Sequence, residues 1–578
     1  MTIRVYQFGC LAPDHVPDEA EEQLRLANRF WNAMVEADRK AQAANEALWA
    51  QQEPIQQLDA QIQPLEERLS ALRDETKRAK QSARRATVPK ERREQMRTIA
   101  AQLKELRALR AEKKRELKPE METRQAAIWD EQKAAIKEAR QFYAEQGSYW
   151  GTYNERAAHF RVASQLAHKS NAQLHFRRFD GQGVWTVQIQ TAGGQEPATM
   201  RDLTNPASRI RHLVRLSAEE NVSESVQNRR RYRPRAMLHM RIASSGREPV
   251  WMRLPIILHR PIPEGAAIKQ VQLKRERVGK TWRYSVSLTV DEPATEPTSA
   301  RYAVAVDLGW RRRDNGLRAA MVVAEHDLCD EHEITLPDKI VTGFALADRL
   351  RSYRDERFNI AVAALRQWLA AQTETPAWLA EKTDYIAQWK SHKRLLDVVE
   401  TWYGNRFGGD EEVYGVLLAW RQKERHLWDY EVHLRDRLTR WRREEYRKAA
   451  ARLASSYETL VLEDMDLREL AKRPKAEEGD TYMEQRSRKG RTVTAPGVLR
   501  SALELAFRAR GRDVQYRDAK NTTRMHAACG RLLDADFAAD VRVYCPHCEV
   551  WFDQDANACR NLLRAFAASR EAEVEPEN

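Results

Sequence analysis

Three carboxylates lie in sequence contexts that could bind divalent ions and support hydrolysis of a phosphodiester. Asp307 follows an apolar run in RYAVAVDLGW, Glu463 follows another in ETLVLEDMDL, and Asp555 opens a helical pattern in FDQDANACRNLL. Such hydrolysis uses divalent ions about 4 Å apart, and carboxylate oxygens are the ligands that Mg²⁺ prefers. The three residues therefore predict a Mg²⁺ or Mn²⁺ site. Each one alone would be expected to cap a helix or pair with a cation; the neighbouring Asp464 and Asp553 could assist.

A second group of residues has the spacing of zinc ligands. Two residues separate His526 from Cys529 and Cys545 from Cys548, and fifteen residues lie between the two pairs. Pairs on tight turns hold Zn²⁺ in four-ligand sites, and a closed site stabilises a module without catalysing a reaction. A histidine stands where a cysteine would complete four thiolates, so His547 is an alternative fourth ligand. Six cysteines in 578 residues are too few for a disulfide framework.

The segments around the carboxylates indicate strands and helices of one α/β domain. Three short apolar strands are predicted in RYAVAVDLGW, GLRAAMVVAEHD and HEITLPDKIVT, and helical sequence follows. A fourth strand, ETLVLEDMDL, and a fifth, RDVQYRDA, flank the helix PGVLRSALELAFRARG. The order β-β-β-α-β-α-β-α is typical of an RNase H-type domain, which brings its first strand, fourth strand and closing helix together.

Residues from about 18 to 146 are predicted to be helical, because they are rich in strong helix formers and poor in glycine. Apolar residues step by three and four in two seams: Ile55, Leu58, Ile62, Leu65, Leu69 and Leu72, then Met96, Ile99, Leu103 and Leu106. Pro89 between them predicts an antiparallel hairpin with its tip near residues 83–90. The basic tip, including Arg84 and Arg85, is expected to bind nucleic acid, although a dimerising coiled coil is the alternative.

From about residue 166 to 293 the apolar pattern changes to period two, as in AMLHMRIA and KTWRYSVSLTV, which predicts an antiparallel barrel or sandwich. The segment QNRRRYRPR combines arginines with a tyrosine, so Arg229, Arg230, Arg231 and Arg233 are candidates for phosphate and base contacts. A solvated surface run is the alternative. The proline-containing segment 291–300 indicates a linker.

The overall charge favours a polyanionic partner. Lys and Arg number 98 against 85 Asp and Glu, a net charge of +13. The sequence has no apolar signal core and no run of about 18 apolar residues that could span a bilayer. We therefore expect a soluble protein of the prokaryotic cytoplasm, associated with the nucleoid when bound to DNA, and no membrane partner.

The motifs AVDLGW, VLEDMDL and DQDANACRNLL, with a zinc module before the last, resemble the RuvC-I, RuvC-II and RuvC-III motifs of type V CRISPR effectors and their transposon-encoded relatives. LHFRRFDGQG, IAQWKSHKR and TAPGVLRS are most similar to the miniature subtype V-M. The resemblance implies a multidomain α+β fold: a helical recognition lobe with a coiled-coil hairpin, an antiparallel β wedge barrel, and an RNase H-like (RuvC) α/β domain with an inserted zinc module.

The same resemblance implies boundaries and partners. The expected parts are a first wedge strand, a helical recognition lobe, the wedge barrel, the RuvC-like domain with motifs I and II, a zinc-binding target-nucleic-acid module, and the motif III helix with its tail: residues 1–13, 14–160, 161–296, 297–517, 518–552 and 553–578. The implied partners are a guide RNA (crRNA) and double-stranded target DNA, bound by a monomer. The implied metals are structural Zn²⁺, and Mg²⁺ or Mn²⁺ at the acidic residues.

Three functions follow from this interpretation. Subtype V-M implies guided binding and silencing of double-stranded DNA without cutting, which we favour. Because Asp307, Glu463 and Asp555 all match the nuclease pattern, RNA-guided cleavage through a Mg²⁺-dependent RuvC site is the alternative. A guide-free, structure-specific nuclease is least favoured, since it would leave some 290 residues of recognition and barrel sequence unexplained.

Overall fold

The computed structural model describes residues 2–82, 90–170, 172–191, 195–218, 235–246, 248–292, 301–467, 482–518, 520–534 and 541–574. The chain divides into two compact units. The N-terminal unit comprises Val5–Glu276 and Arg283–Val290, and the C-terminal unit comprises Met1–Arg4, Arg277–Trp282 and Asp291–Asn578. The helix-rich and strand-rich parts of residues 5–276 therefore belong to one unit.

Four long helices form the first part of the N-terminal unit: α1 (Asp18–Ala50), α2 (Glu53–Ser82), α3 (Lys90–Glu145) and α4 (Trp150–Lys169). Helices α2 and α3 pair through an apolar seam whose buried residues are Ile62, Leu69, Ile99 and Leu103. These residues belong to the pattern of alternating three- and four-residue steps, so the predicted hairpin is confirmed where the chain is described. Its predicted tip, including Arg84 and Arg85, lies outside the described residues.

The second part of the N-terminal unit is built on an antiparallel sheet. Its strands are β1 (Thr2–Cys10), β2 (Gly183–Gln188), β3 (Val214–Ala218), β4 (Arg235–Ser245), β5 (Glu248–Ile257), β6 (Ala267–Val278) and β7 (Thr281–Glu292). The spatial order is β2-β6-β7-β1-β5-β4-β3, and a short helix, α5 (Met200–Thr204), precedes β3. Alternate residues of β4 and β7 are buried, as the period-two pattern predicted. The antiparallel character is confirmed, and the described hydrogen bonds leave β2 and β3 as edge strands.

A five-stranded mixed sheet forms the centre of the C-terminal unit. Its strands are β8 (Ala303–Arg313), β9 (Gly316–Ala324), β10 (Asp327–Pro337), β11 (Thr459–Asp464) and β12 (Asp513–Asp518), in the spatial order β10-β9-β8-β11-β12. Strands β8, β9 and β10 form the predicted antiparallel meander. Strand β11 runs parallel to both β8 and β12, so the centre of the sheet lies between two parallel strands.

The helices of this unit are α6 (Asp338–Ala371), α7 (Ala377–Lys382), α8 (His392–Gly404), α9 (Glu411–Ser456), α10 (Tyr482–Thr494), α11 (Pro496–Arg508) and α12 (Gln554–Val574). Helices α6, α9 and α11 pack on one face of the sheet, and α12 packs on the other. A separate apolar core joins the outer parts of α6 and α9 to α7 and α8, and it includes Trp389, Trp402 and Trp420. The hairpin of β13 (Arg542–Cys545) and β14 (Val550–Asp553) leads into α12.

Candidate acidic site and metal-binding module

Strand parity places Asp307 and Glu463 on the face of the sheet that α12 covers. Ala305 of β8 and Val461 of β11 lie opposite each other in the parallel register, and both pack in the core beneath α12. Successive side chains of a strand point to opposite faces. Asp307 and Glu463 each lie two residues further along, so both fall on the same face at equivalent positions.

Asp555 reaches this face from the first turn of α12. Asp553 precedes the helix, and its Oδ1 accepts hydrogen bonds from the backbone N–H groups of Asp555 (2.9 Å) and Ala556 (3.4 Å). Asp553 is therefore an N-cap that holds the start of α12. A Cβ built on Gly309 would lie 3.9 Å from the Asp555 carboxylate, so Asp555 stands beside β8 just beyond Asp307. The structure thus brings the three predicted carboxylates to one end of one sheet face.

Two arginines neutralise the carboxylates at the start of α12. Arg318 of β9 is fully buried, and its Nη1 donates to Asp555 Oδ2 at 3.0 Å. Its Nη2 donates to Asp553 Oδ2 at 2.8 Å, and its Nε lies 3.3 Å from Glu333. Arg311 Nε lies 3.4 Å from the same Asp555 oxygen. Asp555 is therefore paired with guanidinium groups supplied by the chain itself.

The three carboxylates nevertheless carry unfavourable charge. Burial raises the pKa of Asp307 well above its ordinary value, and the charges of Asp555 and Glu463 raise it further, against the opposing effect of Arg311 and Arg318. Burial also raises the pKa of Asp555 and of Glu463. A hydrogen bond of 3.1 Å from Thr522 Oγ1 lowers the pKa of Glu463 in part. Several carboxylates with raised pKa values in one place are typical of a functional site.

The fit of this arrangement to a divalent ion can be tested on distances. Ligands of one Mg²⁺, each about 2.1 Å from the ion, lie at most about 4.2 Å apart. Within the described part of the chain, the only group of three or more candidate ligands whose atoms all lie within 4.8 Å of one another is a His/Cys group. Asp307, Glu463 and Asp555 are therefore too far apart here to hold one ion together. As arranged they do not fit a Mg²⁺ or Mn²⁺ centre, and that cofactor stays a prediction.

The His/Cys group consists of His526, Cys529, Cys545 and Cys548. Tetrahedral Zn²⁺ with Zn–S bonds of about 2.3 Å requires sulfur atoms about 3.8 Å apart, and Cys529 Sγ and Cys545 Sγ are separated by 3.9 Å. His526 Nδ1 lies 3.3 Å from Cys529 Sγ and 3.5 Å from Cys548 Sγ. The four residues fit a metal such as zinc, whereas the alternative ligand His547 is exposed and outside the group.

Two equivalent turns create this ligand geometry. The N–H of Gly530 donates to the carbonyl of His526 at 2.8 Å, and the N–H of Glu549 donates to the carbonyl of Cys545 at 2.9 Å. Gly530 and Glu549 both have positive φ angles, 72° and 57°, so each pair of ligands is followed by a left-handed residue that reverses the chain. Backbone hydrogen bonds from Cys548 and His547 outweigh the opposing effect of burial and lower the pKa of Cys545, which favours the thiolate that binds metal.

Helix α12 also holds the first of these turns. Asn557 Oδ1 accepts from the N–H of Ala527 (2.6 Å), and its Nδ2 donates to the carbonyl of Met525 (2.8 Å). Asn561 Nδ2 donates to the carbonyls of Met525 (2.6 Å) and Thr522 (2.7 Å). The helix that carries Asp555 therefore also fixes the segment that leads to His526.

The remaining predicted binding residues cannot be placed. Arg229, Arg230, Arg231 and Arg233, like Arg84 and Arg85, lie outside the described residues. The sequence reasoning in turn did not identify Arg311, Arg318 or the two asparagines of α12 as parts of the site. A charged residue inside the apolar strand GLRAAMVVA was a signal that could have identified Arg318.

No helix in the described part of the chain is long and apolar enough to cross a membrane.

Comparison with known proteins identifies relatives of the whole chain. Residues 497–562 match the family model described as Cas12f1-like, TNB domain. A CRISPR-associated DNA-binding protein Cas12m from Allomeiothermus silvanus is 33% identical over 566 residues, covering 97% of this chain and 97% of the relative. The Cas12m protein of Pelobacter propionicus is 28% identical, covering 98% of this chain and 88% of the relative.

Among solved structures, the cryo-EM structure of the Cas12f1–sgRNA–target DNA complex is similar at a TM-score of 0.38 and 10% identity, covering 97% of this chain and 98% of that chain. The sequence relationship to the Allomeiothermus protein extends over nearly the full length of both chains. The chain therefore belongs to the Cas12m family of type V CRISPR effectors.

Proposed function

We propose that this chain is a CRISPR RNA-guided effector that binds double-stranded DNA by guide–target pairing next to a short duplex motif and silences it. Its curated relatives are named CRISPR-associated DNA-binding proteins. The net charge of +13 suits a protein that holds two nucleic acids. In such a complex, base pairing reads the target sequence, and the protein reads the duplex motif and the shape of the heteroduplex.

The proposed division of labour follows the sequence boundaries. Residues 14–160 form the recognition lobe, residues 1–13 with 161–296 the wedge that holds the guide, and residues 297–517 with 553–578 the RNase H-like (RuvC) domain. Residues 518–552 form the target-nucleic-acid module with structural Zn²⁺ held by His526, Cys529, Cys545 and Cys548. One copy of the chain, one guide RNA and one target duplex form the proposed complex.

The pairing of Asp555 supports binding rather than cleavage. Two-metal hydrolysis needs carboxylates that are free to hold divalent ions, but Asp555 Oδ2 is paired with Arg318 and Arg311. Arg318 cannot simply swing into solvent, because it is fully buried and also bonded to Asp553. Silencing requires only a stable heteroduplex and its protein contacts, so it makes no demand on these carboxylates.

One observation favours the alternative, an RNA-guided endonuclease. Asp307, Glu463 and Asp555 fall on one face at one end of the sheet, as a RuvC-type nuclease site requires. For cleavage the carboxylates would have to move closer together, and Asp555 would have to leave at least one guanidinium partner. A guide-free nuclease is least favoured, because it would leave the N-terminal unit without a task.

Sequencing the RNA that copurifies with the chain tests the guided mechanism. We expect a small RNA with a constant repeat segment and a variable segment, and tight binding only to a duplex that matches the variable segment. A chain that purifies free of RNA and binds matched and unmatched duplexes equally well would overturn the proposal.

A cleavage assay separates the two guided functions. The RNA-loaded chain is incubated with matched and unmatched duplexes in the presence of Mg²⁺ or Mn²⁺, and Asp307→Ala is the control. We expect both proteins to bind the matched duplex and leave it intact. Cutting of the matched duplex by the wild type but not by Asp307→Ala would establish the endonuclease and reject silencing by binding alone.

A further inference from the structure

Two arginines and a histidine of the N-terminal unit surround Trp31 of α1. Arg156 and His159 lie on α4, and Arg177 lies in the extended segment 172–182. The Arg177 guanidinium carbon is 3.5 Å from the centroid of the Trp31 ring, and the His159 and Trp31 ring centroids are 5.6 Å apart. Three cationic or titratable groups are thus gathered around one aromatic side chain.

The position of Arg177 is fixed from both sides. Its backbone N–H donates to Asn32 Oδ1 at 2.8 Å, and its carbonyl accepts from Asn28 Nδ2 (3.0 Å) and Asn32 Nδ2 (2.9 Å). Its guanidinium stacks on Trp31, which is 2% exposed and cannot move away. A guanidinium stacked on an aromatic ring keeps its N–H groups available at its edge. Arg177 is therefore prepared to donate hydrogen bonds with little further loss of side-chain freedom.

These cations are not neutralised by the surrounding chain. Among the residues that the structure describes, neither the Arg156 nor the Arg177 guanidinium has a hydrogen-bond or ion-pair partner, and Arg156 Nε is buried without an acceptor. The adjacent Glu155 accepts a hydrogen bond from Gln270 instead (3.1 Å). Burial lowers the pKa of Arg156 and of His159, and the charge of Arg177 lowers both further. An anion placed here would relieve this repulsion and satisfy the buried donor.

We propose that Arg156, His159 and Arg177 form a binding site for one phosphodiester group of a bound nucleic acid. The two non-bridging oxygens of a phosphodiester can accept from two guanidinium groups at once. The proposal deepens the proposed function, since that function supplies two sources of this chemistry, the guide RNA and the target DNA. Neither source has to be assumed for the site to be tested.

The test measures how the dissociation constant depends on salt for Arg177→Gln, Arg156→Gln and a matched control. Arg201→Gln removes one positive charge from the same unit, where Arg201 is exposed and paired with Glu264 at 3.0 Å. The ligands are oligo(dT), the copurified RNA and, for the RNA-loaded chain, a matched duplex. Each lost phosphate contact should reduce the slope of log K against log salt by about 0.7 for a single strand and about 0.9 for a duplex. The control should keep the wild-type slope.

The outcomes separate the site from the guide hypothesis. A reduced slope with the RNA alone assigns the phosphodiester to the guide, and one with the duplex alone assigns it to the target. A reduced slope with oligo(dT), in a chain that copurifies with no RNA, would keep this site and reject the guided mechanism. Arg177→Lys should keep the slope but bind more weakly, because the charge remains while the stacking is lost. Unchanged slopes in both glutamine variants on all three ligands, with unchanged thermal unfolding midpoints, would overturn the proposal.

Discussion

Replacing Arg318 by methionine tests whether the buried guanidinium holds the start of α12 in place. Arg318 is fully buried and lies 2.8 Å from Asp553, 3.0 Å from Asp555 and 3.3 Å from Glu333. Methionine fills much of the same space but leaves these carboxylates without their shared cation. Removing one partner of a buried ion pair costs about 3–5 kcal/mol. Since a typical domain has a net stability of only about 5–15 kcal/mol, we expect a large loss of stability at neutral pH.

The control for this variant is Arg312→Met on the same strand. Arg312 pairs with Asp338 at 2.6 Å, but both side chains are largely exposed, and exposed pairs contribute about 0–1 kcal/mol. Urea unfolding of the two variants and the wild type, followed by circular dichroism, measures the difference.

The pH dependence adds an independent check. Without Arg318 the buried carboxylates gain by protonation, so the deficit of the variant should shrink as the pH falls toward the ordinary aspartate value of 3.8. Equal unfolding free energies for Arg318→Met and Arg312→Met at neutral pH would refute the idea that the buried cluster holds α12.

Three further predictions follow from the same structure and sequence. Asp307→Asn should be more stable than the wild type at neutral pH by on the order of 1 kcal/mol, because the folded state raises the pKa of Asp307 and so disfavours its charged form; denaturant unfolding that shows a less stable variant would contradict this. Metal analysis should find one equivalent of Zn²⁺, lost in Cys545→Ser but kept in the control Cys329→Ser, since a structural zinc site contributes on the order of 10 kcal/mol; a folded, zinc-free wild type would argue against the site. Replacing Arg229, Arg230 and Arg231 together should flatten the salt dependence of nucleic-acid binding by about 0.7–0.9 for each phosphate contact; an unchanged slope would return them to the solvated surface.

Features set by local periodicity could be predicted from the sequence. The seam of α2 and α3 follows from apolar residues at alternating three- and four-residue steps, and the burial pattern of β4 and β7 follows from period-two alternation. The shared face of Asp307 and Glu463 also follows, because each residue ends an apolar strand whose parity fixes its side.

Features that depend on contacts between distant segments could not be predicted. Arg318 pairs with Asp553 across 235 sequence positions, and nothing near Arg318 in the sequence names its partner. The separation of the three carboxylates is likewise set by the packing of α12 and not by any motif. The choice between His526 and His547 depended on the turn geometry around Cys529 and Cys545, since the two histidines have similar spacing to the cysteines.

The hydrogen bonds of α12 make zinc occupancy and the position of Glu463 two expressions of one equilibrium. Thr522 donates to Glu463, the carbonyl of Thr522 is held by Asn561, and His526 follows four residues later. Coupling between two sites is reciprocal: whatever one ligand does to the affinity of the other, the other does in return. Nucleic acid or cation bound at Glu463 should therefore change the rate at which a chelator extracts the zinc. That exchange rate gives a reporter of the acidic site in a protein that cuts nothing.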